Sequence, residues 1–598
     1  QTDRQTDRQT DRQTDRQTGY PSVDRPWLKF YSEESINTPL PSLTVSQFIW
    51  QRNKDHLEDL ALNFFGHKIS YRKMFQHVDR CARALKSAGV KRGDSITLCV
   101  SSVPEVVYLL IACSKIGVLA CFINPMFTTE QMVDRMNETE SHLLFVLDKT
   151  YSFIAEAIDK TCIERVIVIP ITNSLPTPVR ILASLKGKSD AKLKTAMRDA
   201  KFSTWRSFVQ AGKSYVGIIE EPYEREMPLV MVYSSGTTGA SKGIVLTNDG
   251  IHATLSHYRL HGFTYERGNT FLQIIPVWFS TGTVVSILMP LSLGLTVILE
   301  PVFSNVGFAH DLNKYTPNVT LATASLWLYA MNCNELYSVD LSSMTYPLTG
   351  GEQLLPEAER KLNDFLAEHN SPAKMEKGWG MCELGGPVTA TSYLNNKLGS
   401  TGYPIINVMV AAFNIETNEE LPYGEHGELR VCSPTRMKGY YKNPEATAAF
   451  FHTDVKGNVW GRTGDIGYID ENGDVFVLGR AENCFYTPEK SRVYLFDIES
   501  VILRDPSVEL CKVVDIEINR RSVPVAHIVL KTDETEAVTD ALQRIDSLCR
   551  EELTEYAIPL AYKIRDSFPI ATNTKLDTEA LRSERDGFIN GVGEEVQL

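Results

Sequence analysis

Between residues 69 and 300 the apolar positions follow two alternating rhythms. Five- and six-residue β-rich runs stand at Ser95–Val100, Leu143–Leu147, Arg165–Ile169, Leu229–Tyr233, Thr270–Ile275 and Leu295–Glu300. Between them apolar residues recur at helical spacing. Strands that alternate with helices predict a mostly parallel sheet covered on both faces. The longest apolar stretch, Val106–Asn124, is interrupted by Ser114, Lys115 and Gly117. A membrane-crossing helix needs about 20 mostly apolar residues. The stretch therefore predicts a buried helix over Glu105–Lys115 and a strand over Val118–Ile123 that stops at Asn124-Pro125, with no membrane span. Downstream of Gly479-Arg480 short strands and two helices, around Phe496–Leu503 and Thr539–Tyr556, predict a compact α+β unit of roughly 120 residues. The fold class read from this pattern is α/β, with a large domain over 20–479, a small α+β domain over 480–590 and a tail at 591–598.

Two segments fall outside these rhythms. The chain opens with QTDR four times and Gln17-Thr18, with no apolar residue. A CAGA tetranucleotide repeat read in one frame encodes this tetrapeptide. A segment that cannot bury apolar surface is expected to be disordered, so residues 1–19 are read as a disordered repeat. No apolar h-region follows it, so it does not read as a signal peptide. Between Ile171 and Val216 a basic run (Lys186, Lys188, Lys192, Lys194, Arg198, Lys201) reads as a solvated insertion, although it could touch a membrane surface or a CoA phosphate.

Composition narrows the function. The chain has 598 residues, 43% hydrophobic and 23% charged, with net charge −13. That is a globular average and argues against a nucleic-acid binder, which usually carries a basic footprint. The 11 cysteines are scattered with no C-x-x-C pair. They read as reduced thiols in a cytoplasmic protein.

The most informative segment runs from Tyr233 to Thr247. A β-run leads into Ser234, Ser235, Gly236, Thr237, Thr238 and Gly239, then Ala240, Ser241 and Lys242, and a second β-run follows at Ile244–Thr247. Such a loop turns backbone N–H groups and hydroxyls toward an anion, and the lysine adds a point charge. It is no Walker A loop, which needs glycine at 241 and Ser or Thr at 243; this chain has Ser241 and Gly243. The loop resembles the phosphate-binding signature of the adenylate-forming superfamily of acyl-CoA synthetases, luciferases and peptide-synthetase adenylation domains. Six further segments agree in order: Gly89–Asp94 with the helix and strand after it, Gly350–Leu354, Gly378–Glu383, Gly427–Leu429 with Gly439–Glu445, Thr463–Asp465 with Gly479-Arg480, and Pro569–Lys575.

The resemblance implies an N-terminal domain that includes a small β-rich subdomain, and a mobile C-terminal domain. It implies an enzyme that joins a carboxylic acid to ATP as an acyl-adenylate and then to CoA, with Mg2+ present. Residues 234–239 and Lys242 would hold the phosphates. Gly351, Glu352 and Gln353 would border adenine, and Trp379 would stack on it. Cys382 would face the α-phosphate, Glu383 would bind Mg2+, and Asp465 would accept the ribose hydroxyls. Arg480 would touch the ribose-phosphate side, and Glu482 would be the hinge. Lys575 would bridge carboxylate and α-phosphate as the catalytic lysine, with Lys242 beside it. Phe279, Gly282 and Gly350, with Leu326 and Trp327, would shape an apolar acyl pocket. The segment Ile275–Gly282 has no aspartate to pair a substrate ammonium. Amino acids are therefore disfavoured and a fatty acid is expected.

Three positions depart from the family pattern. Cys382 stands in place of a threonine, Thr574 in place of a glycine, and Ala481–Ser491 carries no glycine where relatives have a hairpin that lines the pantetheine tunnel. Two alternatives follow: an enzyme that loads a carrier protein in trans, and a non-catalytic nucleotide- or acyl-AMP-binding homologue.

Overall fold

The computed structural model describes residues 19–186, 190–234, 241–302, 304–531, 538–571 and 575–598. The parallel strands divide between two sheets. An eight-stranded sheet runs in the order 439–440, 243–247, 228–233, 119–122, 95–99, 143–147, 165–169 and 202–204, parallel from 228–233 onward. A nine-stranded sheet runs in the order 403–404, 386–390, 376–381, 346–349, 319–322, 270–273, 296–299, 60–64 and 67–70, parallel from 376–381 to 60–64. The runs at 270–275 and 295–300 thus belong to a different sheet from the four before them. Both sheets bury both faces, which is why their strands read as near-continuous apolar runs.

Helix Pro104–Ile116 is buried at every position except Lys115. A helix apolar on all sides belongs inside the protein, and its end is set by Gly117 in the left-handed region at φ +68°. Helix Tyr71–Ser87 buries one face, Tyr71, Met74, Val78, Cys81 and Leu85, and is capped by Ser70. Among the described residues no helix is long and apolar enough to cross a membrane. The basic insertion forms helices Thr177–Lys186 and Ala191–Ala196 and the edge strand Phe202–Thr204.

A third, five-stranded antiparallel sheet (409–413, 427–432, 459–469, 451–453, with 475–480 paired to 459–469) is the small β-rich subdomain. After Arg480 comes a separate domain with its own core of Ile498, Ile502, Val513, Ile528, Ile545 and Tyr562. Its sheet, 508–518, 521–530, 561–565, 588–589 and 595–596, carries the two expected helices as Leu495–Ile502 and Val538–Glu552, plus Thr578–Ser583. The edge strand Glu595–Val596 extends this sheet into the segment read as a tail. The two domains meet through Lys361–Glu509 at 2.8 Å and Lys531–Glu357 at 3.5 Å, both on helix Pro356–Glu368 of the large domain.

Candidate active site

Ligands of open α/β sheets gather outside the carboxyl ends of the strands, and three motifs of this chain lie there. Strand Pro228–Tyr233 delivers Ser234. Strand Tyr346–Thr349 delivers Gly350–Gln353, and strand Glu376–Met381 delivers Cys382 and Glu383. The loop of Ser235–Gly239 with Ala240 lies outside the described residues, but its two ends are joined. Ser234 N–H donates to the Lys242 carbonyl at 3.0 Å, Lys242 N–H to Ser234 Oγ at 3.0 Å, and Ser241 Oγ to the Ser234 carbonyl at 2.7 Å. These three bonds hold Ser234 and Ser241-Lys242 together at the strand end.

Lys242 Nζ lies 5.1 Å from the centre of the Tyr440 ring, and the Tyr440 hydroxyl donates to Glu383 Oε1 at 3.0 Å. Glu383 is buried. Burial pushes its carboxyl above the usual range, against hydrogen bonds from backbone and Tyr440 and the charges of Arg480 and Lys242. A carboxylate held in this way is one that a cation would stabilise. Among the described residues no three His, Cys, Asp or Glu side chains form a metal-binding group. One carboxylate completed by phosphate oxygens is a pattern that Mg2+ accepts, so the residues fit that ion. Tyr440 was not singled out from the sequence; its place in the Gly439–Glu445 motif was the available signal.

Strands 459–469 and 475–480 pair Asp465 with Arg480. Arg480 Nη1 donates to Asp465 Oδ1 at 2.9 Å and to the Thr463 carbonyl at 2.9 Å. Trp379 Nε1 donates to Asp465 Oδ2 at 2.7 Å. Both carboxylate oxygens thus accept from protein donors, and the indole lies edge-on to the carboxylate through its N–H. Arg480 Nε also lies 3.7 Å from Glu482 Oε1.

The C-terminal domain adds Lys575. Gly351 is in the left-handed region at φ +82°, and a Cβ there would lie 3.5 Å from Lys575 Cε and 3.9 Å from its Nζ. The lysine side chain thus packs over Gly351, where the backbone angle rather than lack of space calls for glycine. Cys382 lies between Ser280, Glu383 and Lys575; burial and then Glu383 push its thiol pKa up, opposed by the Ser280 hydrogen bond and the Lys575 charge. Thr574 falls outside the described residues. Gln353 turns to the neighbouring strand, its Nε2 donating to the Val477 carbonyl at 3.1 Å. Both oxygens of Glu352 accept backbone N–H groups, Ser325 at 3.0 Å and Leu576.

The acyl-pocket residues are less closely gathered. Trp278 and Phe279 are half-buried, their rings 6.3 Å apart. Leu326 and Trp327 lie in the core; Trp327 donates to the Leu348 carbonyl at 2.9 Å and meets Phe308 edge-on. At Gly282 a Cβ would come 2.1 Å from the Pro276 carbonyl oxygen, and at Gly350 one would lie 3.1 Å from the Gly378 oxygen, so backbone packing accounts for both glycines. A cavity of about 430 Å³ lined by Thr264, Asn269, Asn318, Thr345 and Tyr346 sits at the opposite, amino-terminal edge of the nine-stranded sheet, away from these groups.

Known proteins resemble this chain along most of its length. Residues 49–441 match the family described as AMP-binding enzyme, and residues 497–575 match AMP-binding enzyme C-terminal domain. A long-chain-fatty-acid–CoA ligase of Bacillus subtilis is 25% identical over 91% of this chain and 95% of its own length. A 2-succinylbenzoate–CoA ligase of the same organism is 26% identical over 90% of this chain and 98% of its own. In fold, the chain resembles the crystal structure of the anthranilate CoA ligase AuaEII in complex with anthranoyl-AMP, with a TM-score of 0.75 at 19% identity, covering 92% of this chain and 98% of that one.

Proposed function

The chain belongs to the AMP-binding enzyme family, and from that premise we propose that it is an ATP-dependent acid–CoA ligase acting on an apolar carboxylic acid, a fatty acid first. The observation that carries this reading is the approach of Lys575, from one domain, to Gly351 and Cys382 of the other. It brings a cation beside Cys382 and Glu383, the latter linked through Tyr440 to Lys242.

In the first half-reaction a carboxylate oxygen attacks the α-phosphorus of ATP. A new P–O bond forms, the bond to the β-phosphate breaks, and pyrophosphate leaves. Both reactants are anions, so catalysis depends on positive charge placed where negative charge gathers. Lys575 serves the carboxylate and α-phosphate, and Lys242 with the backbone of its loop serves the leaving phosphates. Glu383 would hold Mg2+, which would neutralise phosphate charge. Asp465 turns its carboxylate to the ribose hydroxyls in exchange for Trp379 and Arg480. In the second half-reaction the thiol of CoA gives up its proton, its sulfur bonds to the acyl carbon, and AMP departs. The relatives' names include both fatty and aryl acids, and the lack of an aspartate in Ile275–Gly282 argues against amino acids.

A second reading has its own observation. The hairpin Cys484–Tyr486 and Arg492–Tyr494 carries no glycine, and its Arg492 lies between the rings of Tyr486 and Tyr494, 5.7 Å from each. An altered thioester hairpin favours a carrier-protein thiol over CoA as acceptor. Pyrophosphate release with a panel of fatty, aryl and amino acids, followed by thioester analysis with and without CoA, tests both readings. Acid-dependent pyrophosphate without acyl-CoA would select the second, and no pyrophosphate with any acid would refute both.

A further inference from the structure

Glu352 occupies an unusual place for a residue expected to border a nucleotide base. Its Oε2 accepts the Ser325 backbone N–H at 3.0 Å, in the first turn of helix Ala324–Met331. The positive end of that helix favours a carboxylate there. Its Oε1 accepts the backbone N–H of Leu576, the residue that follows Lys575 in the other domain. Gly351, one residue before Glu352, lies beneath the Lys575 side chain. Two consecutive residues of the large domain therefore hold two consecutive residues of the small one. The described residues on either side are also paired: Ala571 N–H donates to the Lys575 carbonyl at 2.7 Å, and Asp577 N–H to the Pro569 carbonyl at 2.8 Å. Fixing Leu576 consequently fixes where Lys575 emerges. The two ion pairs on helix Pro356–Glu368 draw the domains together but engage Glu509 on strand 508–518 and Lys531 just past strand 521–530, not the Lys575 segment.

We propose that Glu352 is a positioning residue: its carboxylate, anchored on the helix at 324–331, captures the Leu576 amide and thereby sets Lys575 in the site. This rests on the reading that Lys575 acts in adenylation. Glu352 then serves that half-reaction alone and acts only through the lysine. Its removal lowers the fraction of molecules with Lys575 in place, which reduces turnover without weakening ATP binding.

The test compares the full-length wild type, Glu352→Ala, Glu352→Gln, Lys575→Ala and the double variant Glu352→Ala/Lys575→Ala. Acid-dependent pyrophosphate release is measured at varied ATP, together with thioester formation from ready-made acyl-adenylate and CoA. Glu352→Ala should lower kcat by about tenfold to a hundredfold, as expected for loss of a hydrogen bond to a charged group. This fall in kcat should far exceed any change in KM for ATP or in the thioester rate. Glu352→Gln, which keeps one acceptor oxygen, should fall between wild type and Glu352→Ala. In the Lys575→Ala background Glu352→Ala should cost nothing further, since one route is already closed. Four results overturn the proposal: an unaffected kcat in Glu352→Ala, a raised KM at constant kcat, additive losses in the double variant, or equal loss of both half-reactions with a lower melting temperature. A wild type that releases no pyrophosphate with any acid would instead refute the proposed function, and a fully active Lys575→Ala would refute the lysine's role.

Discussion

Trp379 and Asp465 stand 86 residues apart in sequence and share a hydrogen bond of 2.7 Å, indole N–H to Oδ2. Arg480 holds the other oxygen of the same carboxylate at 2.9 Å. Strand 376–381 is thereby tied to the antiparallel subdomain at the position where the proposed function needs a free, bidentate acceptor for ribose.

The first prediction concerns that carboxylate. ATP with Mg2+ should raise the melting temperature, because a ligand that binds only the folded state adds about 2.7 kcal/mol at a hundred times its Kd. Asp465→Ala should lose most of the shift. Tryptophan fluorescence should also change on ATP addition, and Trp379→Phe should lose that change while keeping most of the thermal shift. An undiminished shift in Asp465→Ala would remove Asp465 from the nucleotide site.

Cys382 provides an independent probe of the same cleft. It is partly exposed, whereas Cys81, Cys99, Cys113, Cys121, Cys511 and Cys549 are buried. A small thiol reagent should label Cys382 in the free protein, slowly because its raised pKa keeps it mostly as thiol and faster as pH rises, and ATP should protect it, while the six buried cysteines stay unlabelled with or without nucleotide. Peptide mass spectrometry reads each site separately. Labelling of Cys382 that ignores ATP would place the nucleotide elsewhere.

Legibility in the sequence followed the physics of each element. Runs such as Leu143–Leu147 announced buried parallel strands because every residue in them is buried. Their division into two sheets was not legible. That choice lies in pairings such as Leu62 with Val297, which join residues far apart in the chain. Motifs singled out Lys242, Glu383, Asp465 and Lys575, since each is a charged residue at a fixed place in a recognisable segment. Motifs could not show that Trp379 would donate to Asp465, that Glu352 would face Leu576, or that Tyr440 would bridge Lys242 and Glu383. Those are orientations of side chains, and residue type does not determine them. Trp327 meets a related limit: an apolar residue lining a pocket and one filling the core have the same letter, and its side chain is buried.

The strand that carries Trp379 begins at Glu376, and this residue should make stability depend on pH. Burial pushes its carboxyl up to about 7, against a hydrogen bond from Thr391 and the charge of Lys377. In the unfolded chain it titrates near 4.5. Between these values the folded state binds the extra proton, so stability is full below pH 4.5 and is lost as pH rises through about 7. The loss has an upper bound on the order of 3 kcal/mol. Glu376→Gln, permanently neutral, should flatten this part of the profile and melt higher than wild type at pH 8. Parallel melting curves from pH 5 to 8 decide it; identical slopes would show that Glu376 titrates normally.

The last prediction divides the two half-reactions at Lys575. The lysine reaches Gly351 and Cys382 with the small domain docked through Lys361–Glu509 and Lys531–Glu357 as well as through Glu352 and Leu576. A positioned cation at a developing oxyanion contributes several kcal/mol to a barrier. Lys575→Ala should therefore lose acid-dependent pyrophosphate release by about two to three orders of magnitude. Supplied with ready-made acyl-adenylate and CoA, the same variant should still form thioester, because the acyl carbon is already activated and the α-phosphate no longer has to be attacked. Weakening the dock should act differently. Lys361→Glu places two like charges opposite each other at Glu509 and should slow adenylation more than thioester formation, with the double reversal Lys361→Glu/Glu509→Lys restoring it. Equal slowing of both steps by Lys361→Glu would mean that this docked arrangement serves the whole cycle, and normal adenylation by Lys575→Ala would mean that the cation at the α-phosphate comes from elsewhere.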